Sequence, residues 1–137
     1  MADGAQASGW IVAAAVSAGF SVLAGAFAAH GFDPVGDAKA IGWLRTGSYY
    51  QALHALAILA VVLLSIVGRA KGKLAIATQW LFLIGSILFP GALYALALNG
   101  PRWLGAVAPL GGIAFIAGWL TLAAAVLVQR PKAQRRG

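Results

Sequence analysis

Hydrophobic positions along the chain gather into four long runs, at about 9–29, 50–67, 75–98 and 103–128, and no charged residue lies inside any of them. A helix needs about 20 mostly apolar residues to cross a bilayer. The runs are continuous and rich in Ala and Leu rather than alternating, which predicts helices and not barrel strands. Polar residues mark the joints. The stretch GFDPVGDAKAIGWLRTG (31–47) opens on an Asp33-Pro34 turn, and its Ala38 to Leu44 portion predicts a short helix resting Ile41, Trp43 and Leu44 on the membrane surface. GRAKGK (68–73) reads as a tight basic turn and NGP (99–101) as a second turn. The predicted fold is an all-α membrane protein. It is an antiparallel four-helix transmembrane bundle over 1–128, with an interfacial helix between the first two spans and a basic tail at 129–137.

Composition supports the membrane assignment. The chain is 61% hydrophobic and 9% charged, whereas a soluble domain carries about 25% charged residues. The net charge of +7 comes from ten Lys and Arg against three Asp. These basic residues stand between and after the apolar runs and form no face, which excludes a nucleic-acid interface. With no cysteine, disulfides and thiolate chemistry are excluded. Arg69, Lys71 and Lys73 share one side with Arg130, Lys132, Arg135 and Arg136, while the other side has Lys39, Arg45 and Arg102, the first two offset by Asp33 and Asp37. The positive-inside rule therefore places both termini in the cytoplasm. The small-x-small sequence AFA (26–28) has the form of a signal-peptidase site, but no basic segment precedes the run and the run is too long for a signal peptide, so the first span is expected to be retained.

Helices in lipid associate through small residues. The first span offers Ser17, Ser21, Gly25 and Ala29 at intervals of four, and the fourth offers Gly111, Ala114, Gly118, Thr121 and Ala125 at alternating three and four. Pro90-Gly91 predicts a kink in the third span, since proline removes one backbone bond. Pro109 and Gly112 complete the expected packing set.

The remaining polar residues converge near the non-cytoplasmic surface. His30 ends the first span, Thr46, Tyr50, Gln51 and His54 open the second, and Tyr94 and Asn99 close the third. A span beginning at Tyr50 puts His54 and Tyr94 roughly 6–8 Å below that surface. A neutral imidazole in this setting needs a donor and an acceptor, and Tyr94 and Gln51 are the candidate partners. The bland interpretation is a clamp that fixes helix register. The alternative is a pocket for a quinone, a lipid head group or haem. Haem electron carriers usually take two axial ligands, and only His30 and His54 exist. Proton relay through His54 lacks an intramembrane carboxylate.

LAGAFAAHG (23–31), GWLRTGSYYQALHALAIL (42–59), LFPGALYALAL (88–98) and APLGGIAFIAGW (108–119) follow one another along the chain. Together these blocks closely resemble the YgdD-like family, small bacterial membrane proteins grouped as a domain of unknown function, with small mitochondrial transmembrane proteins as animal relatives. The resemblance implies four helices in a bacterial inner membrane and supplies no activity. It matches Gly25, His30, Thr46, Gly47, Tyr50, Gln51, His54, Gly91, Tyr94, Pro109, Gly111 and Gly112, and departs at Pro90, where a small polar residue is expected.

The chain shows no Ser with a nearby His-Asp pair, no metal-ligand cluster and no P-loop. It is expected to be non-enzymatic and to need no cofactor or metal, with the bilayer, a lipid or quinone, a membrane-protein partner or another copy as its partners. The rival expectations are an accessory subunit of a respiratory or other membrane complex, and a small four-helix transporter. A transporter of that kind would lack the embedded carboxylate that proton coupling uses.

Overall fold

The computed structural model describes residues 2–129, with side chains from Gly4 onward. Four helices account for most of them: α1 Ala2–His30, α2 Ala38–Ile66, α3 Gly72–Ala97 and α4 Val107–Val128, with a 3₁₀ turn Arg102–Ala106 leading into α4. All four are long and apolar enough to cross a membrane, and there is no strand among the described residues. The expected basic tail beyond Gln129 lies outside the described residues.

The expected separate surface helix is corrected. Residues 38–44 are helical, but they are the first turns of α2, which runs unbroken to Ile66. The segment 38–49 contains no proline, and its two glycines weaken a helix without breaking it. Leu44 is already buried, in a cluster with Ala28 of α1 and Ala97 of α3. His54 lies ten residues further along α2, about 15 Å below that layer at 1.5 Å per residue. The shallower expected depth came from starting the span at Tyr50.

The turns follow from local chemistry. Asp33 accepts from the backbone N–H of Val35 and Gly36, and Asp37 accepts from the N–H of Asp33, which closes the 31–37 turn. Both other helix-to-helix joints start with a Schellman cap. After α2 the N–H of Arg69 reaches the Leu64 carbonyl and that of Gly68 the Ser65 carbonyl, with Gly68 at φ +77°. After α3 the N–H of Gly100 reaches Ala95 and that of Asn99 reaches Leu96. Asn99 takes the left-handed position at φ +62°.

Each helix packs on its predecessor, α1 on α2, α2 on α3 and α3 on α4. α1 meets α3 only lightly, and among the described residues no comparable seam joins α1 to α4. The main core combines Trp10, Ile58, Val61, Phe82 and Phe115 from all four helices. Small residues set the closest approaches. A Cβ on Gly85 would stand 2.5 Å from the Phe115 ring, one on Gly118 2.6 Å from the Phe82 ring, and one on Gly111 would collide with the Phe89 backbone.

The buried stripe of α1 is Trp10, Ala14, Ser17, Ser21, Ala24 and Ala28. Its steps alternate four and three, so it leaves the expected Gly25 half-buried and Ala29 exposed. That alternation is the period of helices that wind around one another. Gly25 still serves the seam, because a Cβ there would press on Ser48 Oγ at 2.9 Å. Ser48 in turn donates to the Ser21 carbonyl at 2.8 Å. Gly91 and Gly112 face open space and Pro109 is exposed, so these three do not pack helices together. α3 continues through buried Pro90.

Candidate functional site

The polar residues of α2 divide into two centres. His54, 2% exposed, belongs to the first. Its Nδ1 lies 2.8 Å from the Tyr50 carbonyl one turn earlier, and Trp119 Nε1 of α4 donates to its Nε2 at 3.2 Å. A carbonyl can only accept and an indole N–H can only donate. The imidazole is therefore neutral, with its proton on Nδ1, and both ring nitrogens are engaged. The Phe115 ring stacks on it with centroids 3.4 Å apart and planes 8° apart, and Phe82 meets it at 5.3 Å. This arrangement corrects the expected pairing of His54 with Tyr94 and Gln51. It also leaves no free imidazole nitrogen for haem, since Nε2 would first have to give up Trp119.

Gln51 and Tyr94 form the second centre. The Tyr94 hydroxyl donates to Gln51 Oε1 at 2.8 Å. Gly47 admits the phenol ring, because a Cβ there would lie 2.6 Å from Tyr94 Cε1. With Oε1 engaged, the Gln51 amide nitrogen keeps its two donors. Beside this pair opens a cavity of about 490 Å³ between α1 and α3, lined also by Ser17, Phe20, Leu83, Ser86 and Gly91. Ser17 is 8% exposed and Ser86 5%, yet neither hydroxyl has a hydrogen-bond partner among the described residues. Pro90 has no N–H, so the Ser86 carbonyl also loses its usual partner one turn on. Val16, Phe20 and Ile87 are exposed and place the mouth of the cavity on the outer face of the bundle. Among the described residues no charged side chain lines it.

Three expected members stand apart. His30, Thr46 and Asn99 are exposed, and no side-chain hydrogen bond ties them to either centre. Tyr50 is partly exposed and contributes its carbonyl to His54 and its ring to Phe89 at 5.0 Å. Shared depth did not mean shared contact: the buried face of α2 runs through Leu44, Gly47, Gln51, His54 and Ile58, and Thr46 points away from it. Sequence reasoning missed Trp119 and Ser86. The usable signals were a lone indole N–H inside an apolar run, and a serine four residues before a mid-helix proline.

The comparisons agree with the apolar four-helix architecture. The family model described as "Protein of unknown function (DUF423)" matches residues 24–112, a segment that holds Gln51, His54, Ser86 and Tyr94, while Ser17, Phe115 and Trp119 lie outside it. A UPF0382 membrane protein of Haemophilus influenzae is 40% identical over 114 residues, covering 83% of this chain and 90% of its own. The UPF0382 inner membrane protein YgdD of Escherichia coli K12 is 39% identical over 124 residues, covering 88% and 91%. A UPF0382 membrane protein of Staphylococcus epidermidis is 37% identical over 121 residues, covering 86% and 94%. No solved structure matches the chain. Four membrane-length helices and this extent of identity place the chain in the DUF423 family of integral membrane proteins.

Proposed function

We propose that this is a non-enzymatic protein of the inner membrane, with both termini in the cytoplasm, that binds a small neutral amphiphile in the cavity between α1 and α3. The observation that carries this reading is that Ser17 and Ser86, whose buried hydroxyls have no partner among the described residues, both line one cavity. A buried hydroxyl without a partner costs about 1–3 kcal/mol. A ligand carbonyl accepting from Ser17, Ser86 or the Gln51 amide would recover that cost. The walls of Phe20, Leu83 and Ile87 suit an apolar body, and the absence of charge in the lining favours a neutral ligand. Quinones and acyl esters share this chemistry. His54, by contrast, serves as a clamp.

The test is thermal unfolding of purified protein with decylubiquinone or monoolein added. Gly91→Leu is the blocking variant, because a Cβ there meets nothing of the protein and the residue lines the cavity. We expect stabilisation by one of the two probes in the natural protein and none in the variant. Equal stabilisation of both proteins would place binding elsewhere. Orientation is supported by Arg69, Lys71 and Lys73 on the joint between α2 and α3. Since the chain has no cysteine, Gly36→Cys should react with an impermeant maleimide in intact spheroplasts and Ser8→Cys should not. The reverse pattern would invert the topology.

A partner subunit is a second reading, favoured by the open side between α1 and α4. Recovery of a single homogeneous species in mild detergent would count against it.

A further inference from the structure

A second cavity lies at the other end of the bundle, among α1, α2 and the start of α3, with a volume of about 430 Å³. We propose that it holds the phosphate of an anionic phospholipid, a site independent of the α1–α3 cavity. Three observations converge. Lys71 lines the cavity and is the cation among its described lining residues. Lys71 also precedes the first turn of α3, a 26-residue helix that has no side-chain cap. The first N–H groups of such a helix carry the positive end of its dipole and donate to anions. Gln79, 5% exposed, lines the same cavity and has no hydrogen-bond partner among the described residues. A primary amide that lines the cavity in place of being sealed in the core offers two donors to whatever enters.

The turn is held in shape for this task. Gln129 donates its side-chain N–H to the Lys71 carbonyl at 2.7 Å, which ties the turn to the end of α4. Gly72 adopts φ +74°, a conformation that turns the chain into α3. Among the described lining residues there is no carboxylate to compete for Lys71. Trp10, Val62 and Ile76 form the apolar wall. A phosphate alone would leave that wall unused, whereas the glycerol and upper acyl carbons of a lipid would cover it. Basic pockets between spans on the cytoplasmic side hold anionic head groups by this combination of charge and apolar wall.

The experiment is thermal unfolding of the full chain in detergent micelles doped with phosphatidylglycerol or phosphatidylcholine, and with inorganic phosphate as a third arm. The natural protein should melt higher with phosphatidylglycerol than with phosphatidylcholine. Lys71→Gln should lose at least half of that gain, and Gln79→Leu, which alters no charge, should also reduce it. Arg69→Gln removes the same charge from a residue outside the cavity lining and should keep the gain. Each variant is referred to its own melting point in phosphatidylcholine, so a general loss of stability does not mimic the effect. No preference for phosphatidylglycerol in the natural protein would overturn the proposal, as would equal losses in Arg69→Gln and Lys71→Gln. A full gain from inorganic phosphate without the lipid would overturn the lipid assignment.

Discussion

The His54 centre and the α1–α3 cavity lie within a turn of each other on α2 and are opposites in construction. Around His54 every polar atom has a partner, and the rings of Phe115, Phe82 and Trp119 fill the space. Around Gln51 and Tyr94 one hydrogen bond is made, two buried hydroxyls are left over, and about 490 Å³ is open. Helices with no hydrophobic drive toward one another separate wherever packing is imperfect. The satisfied centre is the one proposed as a fastener, and the unsatisfied one is the site proposed for an amphiphile. The difference also explains why α1 meets α3 so lightly, since the cavity occupies their would-be seam.

The contrast can be broken by mutation. The largest effect should come from His54→Ala, which empties the space beneath Phe115 and strands the Trp119 N–H. A loss of about 3 kcal/mol is expected by analogy with deletion of large buried side chains, measured by reversible unfolding in mixed micelles. A loss near zero would remove the fastener reading. Next comes Tyr94→Phe, which deletes one interhelical hydrogen bond and keeps the ring. It should cost about 0.6 kcal/mol in the same assay, and a loss as large as that of His54→Ala would merge the two centres into one. The smallest loss belongs to Ser17→Ala combined with Ser86→Ala, the one change expected to reverse sign. Neither hydroxyl has a partner to lose, and removing an unpaired buried hydroxyl relieves a cost of about 1–3 kcal/mol, so stability without added amphiphile should hold or rise. A clear destabilisation would show that these hydroxyls already bond within the protein, and the comparison would fail.

Much of the fold was legible in the sequence. The four apolar runs, the Asp33-Pro34 turn, the basic turn at 68–73 and the Asn99 turn all depend on local composition or local backbone chemistry, and all stand in the structure. Gly111 and Gly118 on the α4 stripe were legible too, because small residues at a helical interval have few other uses. The faces were harder to read. In water, the apolar stripe of a helix betrays its buried side. Here the lipid-facing side is apolar as well, with Leu23, Leu56, Ile87 and Leu120 all exposed. That is why spacing alone groups Thr46 with His54 although only His54 is buried, and why Ala24 and Ala28 line the α1 seam with Ser17 and Ser21 while Ala29 faces outward.

By itself the sequence determined that this chain crosses a membrane four times, where it turns, and that His54 is a polar group needing partners in an apolar interior. Those properties follow from transfer free energies and backbone preferences that act over a few residues. The tertiary structure alone decided that Trp119 and the Tyr50 carbonyl satisfy that imidazole, that Gln51 turns to Tyr94, and that Ser17 and Ser86 line a common cavity. These outcomes depend on how each helix is rotated about its axis, which close packing across neighbouring helices sets.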